Sequence, residues 1–141
     1  MKASCLQVGV LVAVLSACQP VPSESPRHEP RAQIANPASV LCGEAGGELR
    51  IEKLGDGSEF GVCWFEDGRR CEEWALFRGE CPRGGRRVTG YATAGARYCV
   101  IQGGRYEITQ AETSDTPERG LCTLPDGTRC SAQALWDGSC H

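Results

Sequence analysis

The fold is decided by the stretch CWFEDGRRCEEWALFRGEC at residues 63–81, which recurs in altered form as CTLPDGTRCSAQALWDGSC at residues 122–140. In both copies seven and nine residues separate the three cysteines, and a fourth cysteine stands upstream, at Cys42 and Cys99. A Gly-Gly pair follows that fourth cysteine in each copy. Agreement at so many positions indicates a tandem repeat of one small module.

Each module is expected to begin with a helix followed by a β-hairpin. The first helix is expected to start at Asn36-Pro37, an N-cap residue followed by proline, and to end at the Gly-Gly pair. Residues 48–52 alternate polar and apolar side chains, which is typical of a half-buried strand, and a second strand is expected at residues 60–65. The Asp67-Gly68 pair that follows predicts a type I turn with glycine in the left-handed position.

A second helix is expected at residues 72–78, and it carries the aromatic residues of the first repeat. Trp74 and Phe77 are three residues apart and therefore share one helical face. Aromatic residues on one face of a small module usually form its core, so the two rings are expected to be buried. A docking surface is the alternative for the same pair.

Eight of the ten cysteines are predicted to form four disulfide bridges. Cys5 and Cys18 are set aside, because they fall in the export signal and at its predicted cleavage site. An even number of remaining cysteines in an exported protein is typical of a disulfide framework. The eight predicted disulfide cysteines are Cys42, Cys63, Cys71, Cys81, Cys99, Cys122, Cys130 and Cys140.

The spacing leaves the pairing of these cysteines open, since four cysteines allow three connectivities. If the strands on either side of the turn pair with each other, Cys63 lies opposite Cys71. This favours Cys63–Cys71 together with Cys42–Cys81, and the equivalent pairs in the second module.

The N-terminal residues predict export. Residues 1–17 combine the basic Lys2 with a short apolar run at residues 6–15 and small residues at the end. Such a segment is typical of a signal peptide and is too short for a membrane-spanning helix.

The sequence Leu15-Ser16-Ala17-Cys18 resembles the lipobox of bacterial lipoproteins. The resemblance implies cleavage before Cys18 and attachment of a diacylglyceryl group to its thiol, with a further acyl chain on its amine. More than one acyl chain holds a protein firmly on a membrane. Gln19 after the cysteine favours the outer membrane by the same resemblance, facing either the periplasm or the exterior. An ordinary secreted protein with a chance cysteine is the alternative.

These features divide the chain into a signal peptide (1–17), a lipidated N-terminus with a proline-rich flexible tether (18–35), a first disulfide module (36–82), a hinge (83–90) and a second disulfide module (91–141). The predicted fold class is therefore small, disulfide-rich α+β, with two tandem helix–β-hairpin–helix modules. The hinge carries Arg83, Arg86 and Arg87, which are expected to be solvated rather than to bind anionic lipid.

The first module resembles a family of bacterial cell-envelope domains, the domain of unknown function 333, whose members are often labelled hemolysins. The resemblance rests on NPAS at residues 36–39, on Cys42, on the glycines at 46–47 and above all on CEEWALFRGEC at residues 71–81. The second module departs from it, for example with TAGA at residues 93–96. The family carries no established catalytic or binding residues, so the resemblance implies architecture more than function.

Several chemistries are not expected from these residues. The net charge of −3 and the 6% aromatic content argue against a nucleic-acid partner. The cysteine spacings do not match zinc sites, and no metal or cofactor is expected beyond the covalent lipid. His28 falls in the tether and His141 is the last residue, so neither is expected to act as a catalytic base. The adjacent Glu72-Glu73 pair is explained by the start of a helix.

The leading hypothesis is a non-catalytic cell-envelope lipoprotein with two disulfide-stapled binding or structural modules. It would bind the membrane through its lipid and contact an envelope or extracellular protein. A proteinase inhibitor is the alternative, with Arg69-Arg70 or Thr128-Arg129 as the exposed basic bait. A cytolytic activity is suggested only by the hemolysin label.

Overall fold

A computed structural model of the chain describes residues 35–140, and it contains two tandem modules of the same α+β design. The elements of the first module are α1 (Pro37–Glu44), β1 (Glu48–Lys53), β2 (Glu59–Trp64), β3 (Arg70–Glu72) and α2 (Glu73–Phe77). Those of the second are α3 (Ala94–Ile101), β4 (Arg105–Gln110), β5 (Arg119–Thr123), β6 (Arg129–Ser131) and α4 (Ala132–Trp136). The predicted fold class is confirmed.

Each module has one antiparallel sheet of three strands, in the orders β1-β2-β3 and β4-β5-β6. The sequence predicted a two-stranded hairpin and left strand pairing beyond the turn as a condition. The third strand that forms there is only three residues long in each module. Such a strand is too short to show the alternation that identifies longer ones. The second helix consequently begins at Glu73, one residue later than expected.

The local signals at the first helix and at the turn act as predicted. The Asn36 side chain accepts a hydrogen bond from the Ala38 amide at 3.0 Å, and α1 follows directly. In the turn, the Gly68 amide donates to the Phe65 carbonyl at 2.9 Å, and Gly68 has a φ of 78°. That left-handed conformation is readily adopted by glycine, which explains the Asp-Gly sequence in both modules.

Four disulfides staple the two modules, and their pairing corrects the expectation. They join Cys42 to Cys63, Cys71 to Cys81, Cys99 to Cys122 and Cys130 to Cys140. The favoured pairing of Cys63 with Cys71 and of Cys42 with Cys81 is therefore wrong. The first bridge in each module ties a helix to the sheet, and the second ties the third strand to the loop after the last helix.

The error has a physical cause in the geometry of the sheet. Cys63 and Cys71 do lie opposite each other in β2 and β3, as the turn predicts. The Sγ of Cys63 bonds to α1, however, and the Sγ of Cys71 bonds to the loop beyond α2. Space for the first bridge comes from Gly47, where a Cβ would overlap the Sγ of Cys63.

The core of the first module is built largely from its two disulfides. All four of its cysteines are at most 1% exposed, and they cluster with two small or medium aliphatic side chains, Ala75 and Leu76. Buried disulfides thus take the place that large apolar residues hold in bigger domains, which is expected of modules shorter than about fifty residues.

A second core lies between the modules and belongs to both of them. We call it the junction core; its buried members are Val62, Val88, Tyr98 and Ile101, and its partly buried members are Leu54, Phe60, Trp64, Leu135 and Trp136. Residues 35–140 accordingly belong to one compact unit. Shared burial of this kind couples the two modules more closely than a tether would.

The segment at residues 83–90, expected to be a hinge, is anchored at two points. Arg86 forms a bridge to Arg70 through reciprocal backbone hydrogen bonds of 3.0 and 2.9 Å. Val88 is 5% exposed in the junction core. Of its three arginines, Arg83 and Arg87 are exposed and Arg86 is half-buried.

Within residues 35–140, every helix is too short or too polar to cross a bilayer. The predicted signal peptide, the lipidation site Cys18 and nearly all of the tether lie outside the described residues, as do His28 and His141.

Candidate functional site

Trp74 and Phe77 lie on the surface of α2, which corrects the expectation that they form the core. Trp74 is 40% exposed and Phe77 is 46% exposed. Their rings contact each other edge to face, with centroids 5.6 Å apart. We call this pair the aromatic face of the first module.

The two rings are excluded from the core because that space is already filled. Ala75 and Leu76 occupy the inward side of α2 and pack against the two disulfides. A five-residue helix cannot bury two further large rings against so small a core. Two adjacent aromatic side chains held at the surface are a recurring feature of protein-binding sites.

In the second module, the helix position equivalent to Phe77 makes a contact between the modules. Trp136 of α4 stands where Phe77 stands in the first module, and it packs against the first module's β1–β2 hairpin. Its ring centroid lies 6.4 Å from that of Phe60 and 5.9 Å from that of Tyr98. The Trp136 carbonyl accepts a hydrogen bond from the Gly55 amide at 3.0 Å. The same helix position therefore makes a contact between modules in one repeat and is exposed in the other.

The two buried carboxylates of the first module have structural partners. Glu72 caps α2 by accepting hydrogen bonds from the Trp74 and Ala75 amides at 3.0 and 2.7 Å. Glu73 accepts from the Ser39 hydroxyl at 2.7 Å and from the Asn36 amide group at 3.3 Å, and it thereby joins the two helices. Burial raises the pKa of Glu72 above its ordinary value, although the two backbone hydrogen bonds act in the opposite direction.

The second module replaces this arrangement with a tyrosine. A Cβ at Gly61 would overlap Glu73, whereas a Cβ at the equivalent Gly120 would overlap the ring of Tyr106. The Tyr106 hydroxyl donates to the Glu118 carboxylate at 2.9 Å. Burial, together with that carboxylate, raises the pKa of Tyr106 to about 12. The two modules thus share a backbone but differ in the polar groups beside their helices.

The two arginines expected as a basic bait are in different environments. Arg69 is exposed and pairs with Asp67 at 2.8 Å. Arg70 is half-buried, and the Cζ atom of its guanidinium lies 3.3 Å from the centroid of the Trp64 ring. Arg70 is therefore packed against its own module and is not presented beside Arg69 as a pair. In the second module Arg129 is exposed, and its guanidinium lies 3.6 Å from Glu107.

Arg70 and the junction core enclose a cleft that the sequence did not predict. The cleft has a volume of about 170 Å³, and both modules contribute to its lining. The sequence did not indicate these residues as a site, because they come together only when the two modules pack against each other. The single available signal is the spacing of Tyr98 and Ile101, three residues apart on α3, which indicates one buried helix face.

Among residues 35–140, no group of three or more His, Cys, Asp or Glu side chains is placed to hold a metal ion. All eight cysteines in this range are engaged in disulfides.

These features define a class of protein: a small disulfide-rich α+β repeat protein whose two modules share a core. The family model of the domain of unknown function 333 matches this chain twice, at residues 33–80 and 90–139. The chain belongs to this family.

Similar curated proteins match about half of the chain. Uncharacterized protein YdbJ of Escherichia coli K12 is 32% identical over 79 residues, which are 52% of this chain and 90% of that protein. Uncharacterized protein YoaF is 38% identical over 72 residues in Escherichia coli K12 and in Shigella flexneri, covering 50% of this chain and 83% of the relative. No solved structure matches the chain. These relatives therefore have room for about one module where this chain has two.

Proposed function

We propose that this protein is a non-catalytic, lipid-anchored cell-envelope protein that binds an envelope protein through the aromatic face of its first module. The observation that carries the proposal is the exposure of Trp74 and Phe77 side by side on α2. Leaving two large rings in water is unfavourable by roughly 25 cal/mol per Å² of apolar surface, which a partner would recover.

The internal repeat supports a protein partner for this face. In the second module the equivalent of Phe77 is Trp136, which rests on a β-hairpin and receives a backbone hydrogen bond from it. The module scaffold can therefore present this helix position to a protein surface. Aromatic side chains that contact one another at the centre of a patch contribute strongly to protein–protein binding.

The disulfides and the N-terminal sequence support the cell envelope as the location. Six of the eight half-cystines are at most 1% exposed, and those of the first module form a core that their own bridges hold together, an arrangement that persists in an oxidising compartment. The lipobox-like sequence ending at Cys18 supplies the anchor.

Substitution of Cys18 is expected to release the protein from membranes. A Cys18→Ala variant lacks the thiol that would carry the diacylglyceryl group, so nothing firm would hold it to lipid. Fractionation of cells that produce the parent or the variant, followed by immunoblotting, measures the effect. We expect the parent in the membrane fraction and the variant in the soluble fraction. A variant that remains in the membrane fraction would contradict the lipid anchor.

Alanine substitution of the aromatic face is expected to abolish partner capture. Crosslinking in intact source cells, followed by affinity capture and mass spectrometry, should recover one envelope protein in stoichiometric amount with the parent. A Trp74→Ala/Phe77→Ala variant should lose it at least tenfold, because the central apolar contact is gone.

The matched control is Ile51→Ala, which removes a side chain that is 60% exposed on β1. It should leave capture unchanged. Equal capture by the parent and the aromatic-face variant would overturn the proposed contact, as would equal loss in the Ile51 control.

A further inference from the structure

The cleft between the modules combines two guanidinium groups with an apolar floor. We call it the junction cleft. Arg70 of the first module and Arg97 of the second are half-buried at its edge, together with one carboxylate, Glu52. Val88, Tyr98 and Ile101 are buried beneath them. A site that is charged at the rim and apolar inside resembles those that bind small amphipathic ligands.

Arg70 and Arg97 have no carboxylate partner among the described residues. The Nε atom of Arg70 is buried and has no hydrogen-bond partner among the described residues. No carboxylate of residues 35–140 forms an ion pair with Arg70 or with Arg97. The buried Nε is shielded from a ligand in the cleft, so it is the unpaired charge of the two guanidinium groups that makes the cleft suitable for an anion. Burial lowers the pKa of Arg70, yet a guanidinium remains charged at neutral pH.

Both guanidinium groups are held in place before any ligand arrives. Arg70 stacks on the Trp64 ring, with its Cζ atom 3.3 Å from the ring centroid. Arg97 donates from Nη1 to the carbonyls of Tyr91 and Ala92 at 2.9 and 3.0 Å. Fixed forks of this kind match the two oxygens of a carboxylate and lose little entropy on binding.

The charge and size of the cleft select among anions. Two arginines and one glutamate leave a net charge of +1 in the lining, which suits a monoanion better than a dianionic phosphate. Glu52 is already occupied, since it accepts the Trp64 indole N–H at 2.9 Å. The volume of about 170 Å³ is close to that of a cavity of about 150 Å³ known to hold one benzene ring.

We propose that the junction cleft binds a small organic carboxylate with an aromatic or branched apolar group, the carboxylate lying between Arg70 and Arg97 and the apolar group against Tyr98 and Ile101. The cleft is formed by both modules, so a single module could not provide it. This proposal does not depend on the aromatic face of the first module, which involves other residues.

Benzoate is the probe that tests the proposal, with benzamide as its uncharged analogue and inorganic phosphate as the competing anion. Titration of the ¹⁵N-labelled full chain, followed by NMR, should show saturable benzoate shifts at residues 94–98 and at the Trp136 indole. Benzamide and phosphate should bind at least tenfold more weakly. No saturable benzoate shift at these residues would overturn the proposal. Benzamide binding as tight as benzoate would overturn the role of charge, and phosphate binding as tight would overturn the carboxylate class.

Single substitutions then test whether each of the two arginines contributes to benzoate binding. Arg70→Gln and Arg97→Gln should each weaken benzoate binding at least tenfold, with the fold checked by near-ultraviolet circular dichroism. Arg129→Gln is the matched control, because Arg129 is the second-module equivalent of Arg70, is exposed and does not line the cleft. Equal loss in the Arg129 variant would overturn the site. If either cleft variant fails to fold, the NMR shifts of the parent decide the question alone.

Discussion

Removing the Cys42–Cys63 bridge by paired alanine substitution is expected to lower the free energy of unfolding by about 4 kcal/mol. The bridge closes a loop with a sequence separation of 21, for which the chain-entropy relation gives about 3.3 kcal/mol. Both sulfurs are fully buried in the first module's core, so their loss also removes packing, at about 1 kcal/mol. Guanidinium denaturation followed by tryptophan fluorescence measures the change.

The control is the bridge at the far end of the chain, Cys130–Cys140. It spans only 10 residues, and both of its cysteines are half-buried, so its removal is expected to cost about 2.7 kcal/mol or less. The order of the two effects therefore tests whether burial and loop length act together. A Cys42/Cys63 variant no less stable than the Cys130/Cys140 variant would contradict the account of the core.

The sequence predicted which cysteines form disulfides but not which cysteine bonds to which. Strand pairing across the Asp-Gly turn, which the sequence left as a condition, was expected to bring Cys63 opposite Cys71, and the register has them so. Pairing depends on where α1 lies over the sheet, which is a long-range property that strand register does not determine. One local signal was available: the glycine directly before the first strand of each module, Gly47 or Gly104, leaves space for the bridge. At Gly104 a Cβ would lie 2.8 Å from the Sγ of Cys99 and 2.9 Å from that of Cys122.

Two further errors concern which side chains are buried. Treating the first module alone, Trp74 and Phe77 were expected in its core, but disulfides and small residues already fill it. Conversely, Val88 was placed in a solvated hinge, and it is buried because the second module covers it. The first error comes from underestimating how much of a small core the disulfides fill, and the second from treating the modules separately, since the junction core exists only when the two repeats are considered together.

The position shared by Phe77 and Trp136 gives the clearest measure of that junction. Trp136→Ala is expected to lower the free energy of unfolding by about 3 kcal/mol, because the indole contacts Phe60 of the first module and Tyr98 of its own module within the junction core. Phe77→Ala at the equivalent exposed position should change it by about 0.5 kcal/mol or less.

Both variants remove one aromatic ring from the same place in the same module design, so the difference between them measures what the Trp136 ring contributes to the junction core. Guanidinium denaturation followed by far-ultraviolet circular dichroism measures it. The parent and Phe77→Ala should unfold in one transition, because the shared core couples the modules. Trp136→Ala should unfold earlier and over a broader range, since the second module is then held to the first by fewer apolar contacts. Equal losses of stability in the two variants would mean that the junction core contributes little, and the junction cleft would then lack the rigid floor that its ligand requires.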